Sequence, residues 1–492
     1  MRKKSSPLST SVNSISRRGF LESTVVLALG LPLVGRSENA GPQQALGTRT
    51  GEVTDSTAIV WTRLTKSASR NANGVQFSAG GKGKKATVQP EIPSDVSQIE
   101  GACPGMAGRV RIRYGLAEDL SDAVATEWKE VAADDDFIYQ FTLAGLKAGS
   151  VYYYYASEAA ASGDTATSTV RGRFYTCPAP TDRKPVNWCV MTCQGYHDRD
   201  HADGHPIYPS MMAQKPQFIV MTGDLVYYDN DPPQATNTAL ARVHWERMFS
   251  LPRIKTALGE TSSYWLKDDH DVLNDDAWPG KEFGDLSFSE GLRIFNEQTP
   301  VGKVPYRTFR WGRDLQIWFT EGRNFRSPNK MEDGPEKTIW GAEQKAWFKR
   351  TVAESDATWK VLVSPTALVG PDRAGKADNH ANKTFQHEGD ELRAWIKANV
   401  PEHFFVICGD RHWQYHSVHP TTGVQEFSVG AASNSHAAGS PGEDPEYHRF
   451  HRVKGGFLSG EVKTDGAESV LTLQLRDVDG AVVYEVVKRR GI

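Results

Sequence analysis

The chain has 492 residues, with 57 Lys and Arg against 60 Asp and Glu, 39% hydrophobic and 10% aromatic residues. That length predicts two or three domains, and the apolar content suffices for large packed cores, which excludes a disordered, collagen-like or coiled-coil chain. A formal net charge of −3 without a Lys/Arg block leaves no electrostatic footprint for nucleic acid, and there is no run of about 18 apolar residues to span a bilayer.

The first 40 residues hold Arg2, Lys3, Lys4, Arg17, Arg18 and Arg36 against Glu22 and Glu38, a net of +4, so a chain without them would carry −7. Ser16-Arg-Arg-Gly-Phe-Leu21 precedes the apolar stretch Val25 to Val34, which is too short for a transmembrane helix. The Arg17-Arg18 pair with Phe20 and Leu21 resembles the twin-arginine export signal, whereas the plainer reading is a basic tail. The resemblance implies the twin-arginine export machinery as a partner, a periplasmic or extracellular destination, and removal of residues 1–40. Such export carries folded proteins, so a cofactor would be inserted before secretion. The five cysteines, Cys103, Cys177, Cys189, Cys193 and Cys408, are few and odd in number, which argues against a disulfide scaffold.

Residues 41–180 read as a fibronectin/Ig-like β-sandwich. Thr57 to Thr62, Arg109 to Tyr114, Phe137 to Thr142, Val151 to Ala156 and Arg173 to Thr176 are short strands at sandwich spacing, and Gly80 to Gly108 is a loop insertion. Leu146-x-x-Gly149-x-x-Tyr152 resembles the corner of such sandwiches, in which a Tyr hydroxyl bonds back to the turn. Pro178 to Pro185 is a Pro-rich linker.

From 185 to 492 apolar β-branched runs alternate with amphipathic stretches, the pattern of a layered α/β domain. Helices are expected over Thr236 to Phe249, Gly341 to Glu354 and His387 to Val400. Strands at Gly456 to Val462, Ser469 to Leu475 and Ala481 to Val487 close one of the sheets.

Six strand candidates in this part run directly into a potential ligand or catalytic group. Val186 to Thr192 ends at Cys193, and Gln217 to Thr222 ends at Gly223-Asp224-Leu-Val-Tyr227. Ser263 to Leu266 leads to Lys267-Asp268-Asp269-His270-Asp271, with Asn274 one turn on. Leu315 to Thr320 ends at Glu321-Gly-Arg323, Lys360 to Val363 at Ser364, and His403 to Ile407 at Cys408-Gly409-Asp410-Arg411-His412. Sites in open α/β sheets form outside the carboxyl ends of the strands. Singly, each piece also fits a turn, a helix cap or a core thiol; jointly they predict a metal centre. Cys193, Tyr227 and His412 with Asp224 suit Fe(III) or a comparable transition metal, because anionic S and O donors offset the charge of a strong Lewis acid. Asn274, Asp410 and one of Asp268 or Asp269 offer oxygen only, which suits calcium or another divalent metal. Asp224 is the natural bridge. Two such metals would turn a bound water into hydroxide and clamp the oxygens of an in-line displacement at phosphorus.

Gly223-Asp224-x-x-Tyr227, Asp268-Asp269-His270-Asp271, Gly409-Asp410-Arg411-His412-Trp413 and Thr192-Cys193-Gln194, in this order, resemble the PhoD-type alkaline phosphatases of the metallophosphoesterase superfamily, relatives of the purple acid phosphatases. The resemblance implies a four-layer αββα metallophosphoesterase sandwich following the amino-terminal domain, and an exported phosphodiesterase/alkaline phosphatase that carries Fe(III) and Ca2+. It assigns iron to Cys193, Asp224, Tyr227 and His412, and calcium to Asp224, Asn274 and Asp410; Asp269 is counted with the metal residues, with Asp268 as the open alternative in the acidic pair. Arg323 and His270 are the candidates for holding the phosphate and assisting the leaving group. The chain departs from the pattern at Lys267, where an apolar residue is usual, at Glu321, where an Asp is expected, and over Asp378 to Lys383, which includes His380.

The leading expectation is a hydrolase of small phosphate monoesters and diesters that releases phosphate. A phospholipase-like enzyme acting on lipid or teichoic-acid-type diesters is a second reading, and a surface binding module with a decayed phosphoesterase domain a third.

Overall fold

The structure, a computed structural model, describes residues 41–78 and 89–492. The export-signal reading of residues 1–40 lies outside the described residues, as do residues 80–88 of the expected loop insertion.

The apolar runs form the strands of two large sheets. The first has the order Val482–Gly491, Glu468–Asp477, Gly456–Asp465, Val186–Met191, Phe218–Thr222, Ser262–Leu266, Thr48–Gly51, Thr57–Arg63 and Ile138–Ala144. The second has the order Arg307–Trp311, Leu315–Phe319, Trp359–Ser364, Phe404–Cys408, Gln425–Val429, Gln414–Val418 and His448–Arg452. The middle of each is parallel, with Ile219 across from both Cys189 and Ser263 in one, and Val361 across from both Ile317 and Phe405 in the other. Strands covered on both faces need apolar residues at every position, which explains why they read as continuous runs and not as alternations.

Side-chain alternation then sets four layers. Val186, Trp188, Val190, Phe218 and Val220 of the first sheet pack against Phe309, Ile317, Val361, Phe405 and Phe427 of the second. Their neighbours Cys189, Met191, Ile219 and Met221 pack with helices Ile207–Ala213, Thr238–Phe249, Pro252–Gly259 and Phe288–Gln298. On the far side Trp318, Leu362 and Val406 pack with helices Gly341–Glu354 and Gln386–Asn399. This is the expected αββα sandwich. Three helices were not expected. Two are only 7 and 8 residues long, but Phe288–Gln298 carries the start signal Ser287-x-x-Glu290, and the Ser287 hydroxyl accepts from the Glu290 N–H at 3.2 Å.

The amino-terminal strands build a sandwich that shares a sheet with the rest. Its outer sheet is Val124–Ala125, Gly108–Gly115, Val151–Ala160 and Ser168–Tyr175, with Lys129–Val131 alongside Gly108–Gly115. Val110, Ile112, Tyr152 and Phe174 from it pack on Val60, Leu64 and Phe141. The strands bearing those partners are the far edge of the first large sheet, joined to it where Thr50 pairs with Ser262 in parallel. The Tyr152 hydroxyl accepts from the Lys147 N–H at 2.7 Å, as the corner motif predicts. All five cysteines are buried free thiols.

The joining strand Thr48–Gly51 is polar in sequence and wholly buried. Its Arg49 guanidinium lies 4.1 Å from the ring centroid of Trp61 and 4.3 Å from that of Phe249, and donates to the Gln298 carbonyl at 2.6 Å. Nearby, Arg63 is a second buried tie. It bonds Asp136 at 2.8 Å, Glu246 of helix Thr238–Phe249 at 2.7 Å and the Cys103 carbonyl at 2.6 Å. Removing one member of a buried charge network strands the others, at a cost of about 3–5 kcal/mol, whereas replacing all members by apolar groups is close to neutral. Arg63→Met is therefore expected to lower the urea midpoint by an amount equivalent to about 3–5 kcal/mol, and Arg63→Met/Asp136→Leu/Glu246→Leu to recover only part of that loss, because Asp136 has φ 48° and also accepts from Gln298, and Glu246 accepts from the Cys103 N–H.

Candidate metal centre

The carboxyl ends of the central strands from both sheets meet at one place, and the backbone there is shaped to turn side chains toward it. Cys193, Asp224 and Asp410, each two residues past the end of a strand, have φ of 51°, 56° and 60°. Left-handed conformations cost a non-glycine residue about 1–3 kcal/mol and cluster at functional sites. Gly223, at φ 96°, sits so close to the next strand that a Cβ there would lie 2.7 Å from the Asp268 Cβ.

Asp271 holds this turn in shape. Its buried carboxylate accepts from the N–H groups of Asp224 and Leu225 at 2.7 Å, Asp268 at 2.8 Å and Val226 at 3.2 Å. Burial pushes its carboxyl up to about 7 against the pull of those four donors.

Three groups of potential ligands overlap at Asp224. Cys193, Asp224 and His412 form one; Asp224, Asp268 and Asp410 a second; Asp224, Asp269 and His270 a third, with ligand atoms in each group within 4.8 Å of one another. Asp224 Oδ2 lies 3.5 Å from the Cys193 Sγ and 3.2 Å from the Tyr227 hydroxyl, which is 3.3 Å from His412 Nε2. Asn274 stands in the turn after this cluster with its amide oxygen buried. A fourth group, Asp269, Asp275 and Asp276, has Lys376 over it, 3.3 and 3.5 Å from the latter two.

The donor set fits multivalent cations. Asp224 Oδ1, Asp268 Oδ2 and Asn274 Oδ1 are buried oxygens with no hydrogen-bond partner in the protein, an arrangement that ordinarily costs several kcal/mol per charge unless a counter-charge is bound; Asp269 Oδ1 and Asp410 Oδ2 also lack a hydrogen bond but have Arg323 and Arg411 as ionic neighbours. Burial, reinforced by Asp224, pushes the Cys193 thiol and the Tyr227 phenol well up; burial likewise raises Asp224. Burial, with His436 and Arg411, holds His412 neutral, the form that ligates. A metal ion inverts this logic, since a bound cation deprotonates thiol and phenol outright.

The expected catalytic pair is placed as follows. His270 Nδ1 bonds Asp229 at 2.6 Å, and the Tyr227 ring lies 4.5 Å from the imidazole. Burial works against its charged form, but Asp269, Asp224 and Asp229 outweigh it and raise His270 well above the usual value. Arg323 is fully buried and committed to carboxylates, bonding Asp268 at 2.5 Å and standing 3.4 Å from Asp269. It sets the charge of that pair, and contact with substrate would require it to release one of them. Burial raises Asp268 to about 6, whereas Arg323 and His270 overcome burial at Asp269 and lower it. His380 lies elsewhere, bonded to Glu388 at 2.9 Å.

Three contributors carry no signal in the sequence, and Asp271, part of the acidic motif, gains its role only from the fold. Asp198 and Asp229 act through histidines distant in sequence. His436 reaches the Tyr227 hydroxyl at 3.0 Å from a loop seven residues past its strand, too far for a search of strand ends to find it.

Residues 188–454 match the family model described as PhoD-like phosphatase, and residues 31–178 that of the PhoD-like phosphatase N-terminal domain. A solved structure of PhoD is similar over 92% of this chain and 90% of that chain, with a TM-score of 0.69 and 16% identity. The purple acid phosphatase PPD1 from yellow lupin (Lupinus luteus) seeds is similar over 89% of this chain and 73% of that chain, with a TM-score of 0.57 and 12% identity. At these identities the two structures speak to the fold alone. Comparison with curated proteins finds no significant match. The catalytic family model spans more than half of the sequence, and the chain belongs to the PhoD-like phosphatase family as a metal-dependent phosphatase/phosphodiesterase.

Proposed function

We propose that this phosphoesterase is an exported enzyme that hydrolyses small phosphate monoesters and diesters and releases inorganic phosphate. The observation that carries the proposal is the sharing of Asp224 among three ligand groups of different chemical character. On one side stand a thiol, a phenol and an imidazole, the donors that favour Fe(III). On the other stand carboxylate and amide oxygens from Asp410, Asn274 and Asp269, with Asp268 beside them, which favour Ca2+. Metals held there would supply Lewis-acid charge for activating water and steadying phosphoryl oxygens. Export rests on the twin-arginine pattern at Arg17-Arg18. Among the described residues no helix is long and apolar enough to cross a membrane.

The chain's own groups have separable tasks. Asp229 occupies Nδ1 of His270 and leaves Nε2 as the nitrogen available to substrate, where, when protonated, it would donate a hydrogen bond to a phosphoryl oxygen or a proton to the departing alkoxide. Arg323 keeps Asp268 and Asp269 in register beside Asp224, and Asp271 fixes the turn that presents Asp224.

Metal analysis of the purified full chain is expected to return iron and calcium, with a visible absorption band from the tyrosinate. Chelation should remove colour and activity together. An active protein free of both metals would overturn the assignment of iron and calcium. Hydrolysis of an aryl phosphate monoester, its diester and a phospholipid, compared by kcat/KM, is expected to favour the small esters; a preference for the phospholipid would replace this substrate class with lipid diesters.

Cys193→Ser and Asp224→Asn are each expected to lower kcat/KM by more than the roughly 10–100-fold that loss of an outer hydrogen-bond partner costs at a metal site. Full activity in either variant would overturn the proposed ligands.

A further inference from the structure

Tyr227 stands between two imidazoles, each tied through Nδ1 to its own carboxylate. On one side is His270 with Asp229. On the other, His436 Nε2 lies 3.0 Å from the Tyr227 hydroxyl, and Nδ1 bonds Asp198 Oδ2 at 2.8 Å. The His436 ring is also 4.3 Å from that of His412. His436 thus touches the one oxygen that Asp224 Oδ2 and His412 Nε2 also approach.

The loop carrying His436 is built to hold it there. Asp200 Oδ2 accepts from the N–H groups of Asn434 at 2.7 Å and Ser435 at 3.4 Å, and the Ser435 hydroxyl donates to the Asp198 carbonyl at 2.7 Å. Ala438 N–H donates to the His412 carbonyl at 3.2 Å, and Ala432 N–H to the Cys193 carbonyl at 3.1 Å. Gly195 packs under the pair, where a Cβ would lie 2.9 Å from His436 Nδ1 and 3.3 Å from Asp198 Oδ2. The acidic partner follows Cys193 on the first sheet, and the imidazole follows a strand of the second, so the dyad spans the seam between them.

We propose that His436, oriented by Asp198, is the positioning residue for the phenolic oxygen of Tyr227, and that through this hydrogen bond it sets how strongly the tyrosine donates to the metal. The inference rests on the reading of Tyr227 as a metal donor. A carboxylate at Nδ1 can only accept, so that nitrogen donates to Asp198; a metal-bound phenolate also only accepts, so Nε2 faces Tyr227 as a second N–H donor in the doubly protonated imidazole. A hydrogen bond at that oxygen draws electron density away from the bond to a metal, and such outer partners tune ligands at metal sites generally. A purely structural His–Asp pair would instead hold only the 434–438 loop.

The test compares His436→Ala, His436→Gln and Asp198→Asn with the wild-type holoenzyme, measuring iron content, visible spectrum, kcat and KM, and adds a double-mutant cycle with Tyr227→Phe. His436→Ala is expected to retain iron, to shift the visible band, and to lose about 10–100-fold in kcat with KM changed less than about threefold. His436→Gln should recover part of the loss and Asp198→Asn should act in the same direction. In the Tyr227→Phe background the His436→Ala effect on kcat should largely vanish, because coupled residues are non-additive. An unshifted band with unchanged kcat in His436→Ala, or an additive cycle, would overturn the proposal. A wild-type enzyme that is active but uncoloured would overturn the iron assignment instead, and the cycle would still decide the role of His436.

Discussion

The burial of several acidic groups around Asp224 is the constraint on which the rest of the molecule depends. Asp224, Asp268, Asp269 and Asp271 lie just past the ends of strands Phe218–Thr222 and Ser262–Leu266 and are all but inaccessible to water. Uncompensated, such a cluster would cost more than a domain's net stability. Three kinds of counter-charge are provided. Arg323 faces Asp268 and Asp269 and Arg411 faces Asp410, four backbone N–H groups solvate Asp271, and the oxygens of Asp224 and Asp268 that have neither hydrogen bond nor ion pair are open to a cation.

Placing that charge requires a rigid frame, and the four layers supply one. The aromatic and aliphatic interface between the sheets fixes the two rows of strand ends against each other, so that Cys193 and Asp224 from one sheet and Asp410 and His412 from the other share a single cluster. The amino-terminal sandwich contributes to this frame by sheet continuity and by buried Arg49 and Arg63, and among the described residues none of the ligand groups comes from it. Its role in the site is therefore carried by packing and not by contact.

The sequence was most legible where a single physical rule acted locally. Doubly covered strands announced themselves as apolar runs, and the clustering of Cys193, Asp224, Asp410 and His412 follows from their places just past strand ends. Helix Gly341–Glu354 formed over the residues its periodicity predicts. Legibility failed where a tertiary partner decides the outcome. Thr48–Gly51 has no apolar pattern, and becomes a buried strand because Arg49 finds aromatic faces and the Gln298 carbonyl. His436 has no motif, and its place depends on Asp198 and Asp200 more than two hundred residues earlier. Arg323 could be selected as a site residue but not given its neighbours, because its commitment to Asp268 and Asp269 is a matter of side-chain geometry.

The two departures from the family pattern beside the acidic cluster resolve together. Lys267, next to Asp268, extends to Glu321, two residues before Arg323, and their charged groups meet at 2.8 Å with both side chains at most 4% exposed. Glu321 also accepts from the N–H groups of Arg323 at 2.9 Å and Asn324 at 2.6 Å. Taken separately, a buried ammonium next to the ligand set would oppose cation binding, and a buried Glu would add to the repulsion. As a pair they are neutral, and they bind the strand end that carries Asp268 and Asp269 to the one that carries Arg323. The shorter Asp that the pattern expects at 321 would reach less far toward Lys267, so each departure makes sense of the other.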